Sequence, residues 1–379
     1  MYNFLAFNPV KLHFGKNVVK DLGTSAAALG SKALLVYGGG SVLRNGSHKD
    51  TLEQLLKHGI QITEFNGIKS NPRVEDVMEA ARIGRDAEVD MVVAVGGGSV
   101  IDSAKIIAIC IADDCDAWKV MTGKHEPKGA KPLVAVLTLA ATGTEMNAVA
   151  VLQNGETMEK IGYRHDLMYP VHSYLDPSYT QSVPANYTAY GTVDLVAHSL
   201  EAWFGKGEAS LSDRFVISIV KEAMEFGPAL MKDLGSYELR ANIMWAATTA
   251  LNNTTMYGRI SGDWGVHALG HVLSLLYDTP HGATLSIIYP AWMRLLKERA
   301  GDRIIQLGRE LFGVSTVDET IEALEVYFKS LGSPVTCLEA GIDESKKEEI
   351  LNLMNRNQAE GTNFKLSDKD RELLLAYMY

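Results

Sequence analysis

The chain has 379 residues, 46% of them hydrophobic and 22% charged, with a net charge of −10. That length is enough for two domains, each with its own core. The negative balance and the lack of any Lys/Arg block argue against a nucleic-acid partner, and no stretch approaches the about 20 apolar residues of a membrane span.

In chain order, Lys11 to Phe14 reads as a short strand. Ala33 to Tyr37 is an apolar run that stops at Gly38-Gly39-Gly40-Ser41, and a helix follows over about Lys49 to His58. Ile60 to Phe65 reads as a strand and Val74 to Asp86 as a helix. Met91 to Val95 is continuously apolar, the mark of a strand buried on both faces of a parallel sheet. It ends at Gly96-Gly97-Gly98-Ser99, with a helix over Val100 to Ile111 and Ser99 as its expected N-cap. Leu133 to Leu137 is a further buried strand, ending in Thr138. Strands alternating with helices imply an α/β domain with a parallel sheet, whose ligands bind beyond the carboxyl ends of the strands. Both Gly-Gly-Gly-Ser loops and the segment from Thr138 to Thr144 fall at that edge. A glycine loop opening a helix is a phosphate cradle or merely a tight turn. Two such loops at strand ends favour a dinucleotide, although neither has the usual G-x-G-x-x-G spacing.

From about Ala185 helical patterns dominate. The clearest are Tyr187 to Phe204, Leu211 to Glu225, Tyr237 to Asn252, Gly265 to Leu276, Gly282 to Glu298, Asp302 to Leu311 and Val317 to Leu331. Ser345 to Asn355 and Ser367 to Met378 close the chain. The segment Asp176 to Pro184 marks the break, giving an α/β dinucleotide-binding domain over 1–180 and an all-helical domain over 181–379. The expected active site lies in the cleft between them.

The helical half carries ligand-type residues on apolar patterns. Asp194 and His198 are four apart, as are His267 and His271, so each pair shares one helix face. His281 follows ten residues later in Pro280-His281-Gly282. Any one of these histidines alone reads as a hydrogen-bonded core side chain. Together, on apolar faces, they need something that satisfies them, and a divalent metal does.

Cys110, Cys115 and Cys337 form neither a metal spacing nor an even disulfide set. Reduced thiols in a cytoplasmic protein are expected. The start, MYNFLAFNPVKLHFG, lacks a basic region followed by an apolar core and does not read as a signal peptide.

The segments FNPVKLHFGK, GGGSVIDSAK, TLAATGTEMN and DLVAHSLE, and the histidine stretch with Pro-His-Gly, extend over essentially the whole chain. With them the sequence resembles the iron-containing, or group III, alcohol dehydrogenases, and most closely their butanol dehydrogenase and broad-range aldehyde reductase branch. The resemblance implies an α/β Rossmann-like nucleotide-binding domain followed by an all-α metal-binding domain, the dehydroquinate synthase-like architecture. It implies NADP or NAD, one divalent metal (Fe or Zn, with Mn and Ni as further options), small aldehyde or alcohol substrates, and a homodimer. By motif position it makes Asp194, His198, His267 and His281 the metal ligands, a nitrogen-rich set suited to Fe or Zn. His271 becomes a non-ligand near the nicotinamide and a proton relay. Gly97, Gly98 and Ser99 would cradle the pyrophosphate, with Asp102 close to the nicotinamide side as a second catalytic-site residue. Thr138, Thr142 and Asn147 would line the cofactor cleft, Lys160 would reach the ribose, and Asn71 the cofactor backbone. Gly38, Gly39 and Ser41 would lie at the adenosine end. No Asp or Glu intervenes between Tyr37 and Asp50 to repel a 2′-phosphate, so NADPH is expected over NADH. A lyase of the dehydroquinate synthase type shares this outline, but it needs Lys and Arg around the metal, where these helices are apolar. A metal-stabilised binding protein is the third reading. Trp203, Trp264 and Tyr257 are candidate walls of the substrate pocket.

Overall fold

The structure, a computed structural model, describes residues 1–379. It contains two compact units. One comprises Phe7–Val183 with Leu234–Met244, and the other Met1–Ala6, Pro184–Asp233 and Trp245–Tyr379. A simple division at residue 180 therefore misses two exchanged segments. The first residues belong with the helices because Tyr2 N donates to Gly258 O at 2.9 Å and Phe4 stacks on Tyr257 at 5.2 Å. Segment 234–244 belongs with the sheet, where the Arg240 guanidinium donates to the carbonyls of Leu234 and Val183 at 3.0 and 3.2 Å.

The α/β unit runs β1 (Lys11–Phe14), α1 (Leu22–Ala27), β2 (Lys32–Tyr37), α2 (Ser41–Arg44), α3 (Ser47–Lys57), β3 (Gln61–Asn66), α4 (Val74–Asp86), β4 (Met91–Gly96), α5 (Gly98–Asp113), α6 (Ala117–Met121), β5 (Leu133–Leu137), β6 (Val149–Asn154), β7 (Glu159–Arg164) and β8 (His172–Leu175). Six strands form one parallel sheet in the order β1-β8-β5-β4-β2-β3. β4 and β5 are buried at every position, as their unbroken apolar runs require. Each fully buried Val, Leu or Ile contributes about 1.5–3 kcal/mol. After β3 the chain returns to the opposite side of β2 and lays down β4. The order therefore reverses between β2 and β4, and ligands of open parallel sheets bind at such a switch point. Both glycine loops leave these two strands.

Three strands escape a sequence reading, β8 and the antiparallel hairpin β6–β7. The hairpin does carry a turn signal, Asn154-Gly155 between Val/Leu and Ile/Tyr runs. Asn154 Oδ1 accepts from the Glu156 and Thr157 amides at 2.9 and 3.3 Å.

The second unit is helical: α7 (Ala185–Trp203), α8 (Ser210–Lys232), α9 (Tyr237–Ala250, whose first half lies in the other unit), α10 (Gly265–Tyr277), α11 (His281–Leu295), α12 (Lys297–Leu311), α13 (Val317–Ser330), α14 (Lys347–Arg356) and α15 (Asp368–Tyr377). No helix is long and apolar enough to cross a membrane. α7 is buried without interruption from Gly191 to Trp203, and α11 from Gly282 to Met293. Helices apolar all round form the middle of a helical domain.

Candidate metal centre and coenzyme loops

Three helices bring the ligand-type residues together. Asp194 and His198 lie one turn apart on α7, His267 and His271 on α10, and His281 is the first residue of α11. Gly282 permits the approach of α11, because a side chain there would collide with the Tyr190 carbonyl of α7. Gly270 does the same for α10, where a Cβ would lie 2.6 Å from Thr284 Oγ1.

Asp194 Oδ1 is the focus. It lies 3.6 Å from His198 Nδ1, 3.8 Å from His267 Nε2 and 3.6 Å from His281 Nε2. These are ion-pair distances, too long for hydrogen bonds. Ligand atoms of Asp194, His267 and His281 all lie within 4.8 Å of one another. His198 joins the group through Asp194 and through its ring, stacked on that of His267 at 4.8 Å. Asp194 Oδ1, His198 Nδ1 and His267 Nε2 are buried with no hydrogen-bond partner. Converging buried acceptors without donors are costly unless a cation satisfies them, so this donor set fits a divalent metal.

One residue that sequence reasoning passed over completes the arrangement. Glu201, 1% exposed on α7, accepts from His267 Nδ1 at 2.7 Å, from His267 N at 3.1 Å and from Trp264 N at 2.5 Å. A carboxylate on Nδ1 fixes the tautomer and turns the Nε2 lone pair toward Asp194. Its position in DLVAHSLE was the available signal; its partner is 66 residues away. Burial acts to lower the His267 pKa, and Asp194 and Glu201 more than offset it, raising it to about 9. Burial pushes His198 down to about 4, so that ring stays neutral, as a ligand must. His271 lies within α10, 9% exposed, with its ring 5.6 Å from that of His281.

Of the three expected pocket aromatics, only Trp264 stands at this centre, its ring 5.5 Å from His267 and 6.3 Å from His198. Trp203 is a core residue. Its Nε1 donates to Arg303 O at 3.1 Å and the Arg303 guanidinium covers its ring at 3.7 Å. Tyr257 is occupied by Phe4.

In the α/β unit, α5 starts at Gly98 with Gly97 as N-cap. Ser99 is therefore inside the helix instead of capping it, and its hydroxyl donates to Ser70 O. Gly98 lies so close to Thr142 that a Cβ would be 2.6 Å from Thr142 Oγ1. Thr138 N donates to Gly96 O at 2.9 Å, which holds the ends of β4 and β5 together. Asn71 and Lys160, 89 residues apart, meet in a buried hydrogen bond of 2.8 Å. Lys160 is thus no solvated lysine.

Asp102 and Asn147 are both held by hydrogen bonds within the α/β unit. Asp102 accepts from Thr144 Oγ1 at 2.5 Å and from Val151 N at 2.9 Å. Both oxygens are engaged because a carboxylate this buried needs donors, and they fasten α5 to β6. Asn147 accepts from Lys105 Nζ and Val149 N at 3.0 and 2.9 Å and donates to Gly143 O at 3.0 Å. Its amide shapes the loop. Fully buried Lys105 joins this network by donating to Thr144 Oγ1 and Val149 O, each at 2.6 Å.

Gly38 and Gly39 follow β2, and Ser41 opens the four-residue α2. A Cβ on Gly39 would meet nothing within 4 Å. On Gly40 it would lie 2.8 Å from Arg44 Nη1, so the Arg44 guanidinium is folded back over the loop.

Residues 9–177 match the iron-containing alcohol dehydrogenase family, and residues 188–375 match its C-terminal domain. A probable NADH-dependent butanol dehydrogenase of Bacillus subtilis is 38% identical over 100% of this chain and 99% of its own. The NADPH-dependent aldehyde reductase YqhD of Escherichia coli is 35% identical, with 93% and 92% covered. Among solved structures, the NADH-dependent butanol dehydrogenase A of Thermotoga maritima superposes with a TM-score of 0.95 at 35% identity, covering 100% of this chain and 99% of that one. The chain belongs to the iron-containing alcohol dehydrogenase family, and is an oxidoreductase. Within the family it stands in the branch of the butanol dehydrogenases and aldehyde reductases.

Proposed function

We propose that this protein is a cytoplasmic, homodimeric NADPH-favouring aldehyde reductase that converts small to medium aldehydes, such as butanal, to primary alcohols. The observation that carries the reading is the convergence of Asp194, His267 and His281, with His198 beside them, in an apolar helical core. These four residues would hold the metal, Fe or Zn, which supplies Lewis-acid polarisation of the carbonyl when bound. Asp194 would bring one negative charge and the imidazoles, deprotonated on binding the cation, none, which would leave net positive charge for a developing alkoxide. Glu201 orients His267. The buried α7 and α11 exclude water around the reacting carbonyl. His271 hands a proton to the product oxygen, a role within the chemistry of an imidazole near neutral pH.

Gly97, Gly98 and Ser99 are assigned to the pyrophosphate at the start of α5, and Thr138 and Thr142 to the cofactor beside them. Lys160 is assigned to the ribose and Asn71, its hydrogen-bond partner, to the cofactor backbone. Asp102 and Asn147 keep the loop from 142 to 149 in shape around the nicotinamide end. The NADPH preference rests on the absence of an acid after β2, the open space at Gly39, and the Arg44 charge over Gly40.

The test is kcat/KM for butanal with each coenzyme on metal-loaded protein. NADPH should be favoured by about tenfold or more. Arg44→Ala should erode that preference and Gly39→Asp should reverse it toward NADH. A wild-type preference for NADH, or a ratio unmoved by both variants, overturns the coenzyme assignment. No aldehyde reduction with either coenzyme overturns the function. Light scattering should give twice the 41.4 kDa chain mass.

A further inference from the structure

We propose that Trp264 is the specificity-determining wall of the substrate site, excluding carbonyl compounds branched next to the reacting carbon. The proposal rests on the aldehyde reductase reading above.

The backbone of Trp264 is in the left-handed region, φ +64°. For a bulky side chain that conformation is unfavourable and persists only where the surroundings impose it. Two features do so here. Glu201 accepts the Trp264 amide proton at 2.5 Å. Gly262 has no side chain, and a Cβ there would lie 2.8 Å from the indole Nε1. The indole is therefore laid over bare backbone on one side. It also stands edge-on to His267 (interplanar angle 71°) and tilted to His198.

The same carboxylate holds ligand and wall. Glu201 Oε1 takes the His267 ring and amide, and Oε2 takes Trp264. The spacing between the indole and the imidazoles is thus fixed by one buried group. Trp264 is only half-buried, while Asp263, Gly265, Val266 and His267 around it are buried. A rigid ring that is both strained and reachable, beside the ligand imidazoles, borders space that a small molecule can enter. A carbonyl oxygen drawn to those ligands brings its neighbouring carbons toward the indole. A hydrogen and a straight chain fit there, and a second substituent on the α-carbon meets the ring.

The experiment compares butanal with 2,2-dimethylpropanal on metal-loaded wild type, Trp264→Ala, Trp264→Phe and Gly262→Ala. Wild type should favour butanal. Trp264→Ala should lower that kcat/KM ratio by about 10- to 100-fold with metal content per chain unchanged. Trp264→Phe, which keeps a ring, should stay near the wild-type ratio. Gly262→Ala, whose Cβ would meet the indole and displace it, should shift the ratio. An unchanged ratio in metal-replete Trp264→Ala overturns the proposal, as does a loss of metal in both Trp264 variants, which would make the residue a structural support. Should Trp264→Ala not fold, Trp264→Leu carries the same criterion. A second arm needs no turnover. Titration with butanamide, a non-reducible carbonyl analogue, should change tryptophan emission in wild type and not in Trp264→Phe. An equal response in both overturns the proposal. A Trp264-dependent response without turnover would leave this inference standing while the reductase reading fails.

Discussion

Two groups of ligand-type side chains occur in this chain, Asp194/His267/His281 in the helical unit and Asp113/Cys115/His125 in the α/β unit, and in each the ligand atoms lie within 4.8 Å of one another. Their surroundings are opposite. In the second group every member has a partner in the protein. His125 Nε2 pairs with Asp113 Oδ2 at 2.9 Å, the Lys128 amide donates to the same oxygen at 2.8 Å, and the Cys115 thiol donates to Cys110 Sγ at 3.7 Å. Burial pushes both thiols up in pKa, away from the thiolate a metal would need. In the first group, Asp194 Oδ1 and His267 Nε2 find no donor, and the short hydrogen bond that His267 gives to Glu201 leaves from the far nitrogen. The right residue types at short range make an ion pair. Buried acceptors left without donors, with an outer carboxylate aiming them, make a candidate metal site.

The most damaging changes should separate the two groups. His267→Ala or His281→Ala should remove the metal and the activity while circular dichroism shows the fold retained. The loss of metal affinity should exceed the about 10–100-fold typical of residues that merely orient a ligand. Cys115→Ser and His125→Gln should leave metal per chain, read by elemental analysis, where it was. If those two lower it instead, the comparison is wrong.

His271→Ala sharpens the boundary of the first group. It should keep its metal and lose about 100-fold in kcat, with an altered pH–rate profile. Metal loss equal to that of His267→Ala would move His271 among the ligands, and an unchanged profile would remove its proton-transfer role.

Glu201→Gln tests the outer carboxylate. Glu201 accepts with both oxygens, and an amide has only one accepting oxygen, so either His267 or Trp264 would face an NH2 group; metal affinity should fall about 10–100-fold, with partial activity at excess metal. Wild-type affinity in a competition assay with a chelator dye would show that the orientation of His267 has another source.

The smallest effect lies away from the centre. Asp213 pairs with Arg259 at 2.5 Å and with Arg303 at 2.8 Å. Burial raises its pKa, but the two guanidinium groups outweigh that and hold it below the ordinary carboxylate value. A folded-state pKa below the unfolded one means the folded chain binds fewer protons. The stabilisation is then complete above about pH 4 and is lost as pH falls through the lower, folded value. Asp213→Asn should cost about 2 kcal/mol at neutral pH and flatten this part of the acid limb in chemical denaturation. An unchanged acid limb would assign it to other carboxylates.

Much of this was written in local sequence. The unbroken apolar runs at 91–95 and 133–137 mark strands buried on both faces, because only a sheet covered on both sides admits no polar position. The fourfold spacing of Asp194 with His198 and of His267 with His271 puts each pair on one helix face wherever that helix goes. Tertiary structure alone decided what depends on distant partners. It joined Glu201 to His267, and Lys160 to Asn71 across 89 residues. It turned Asp102 and Asn147 inward to brace a loop, and set Trp264 beside the imidazoles while burying Trp203 in the core. It also fixed the strand order, which places the two glycine loops on either side of the switch point. Periodicity fixes which way a side chain points from its own helix or strand. What it meets there is fixed by how elements far apart in sequence pack, and a single chain carries no local record of that.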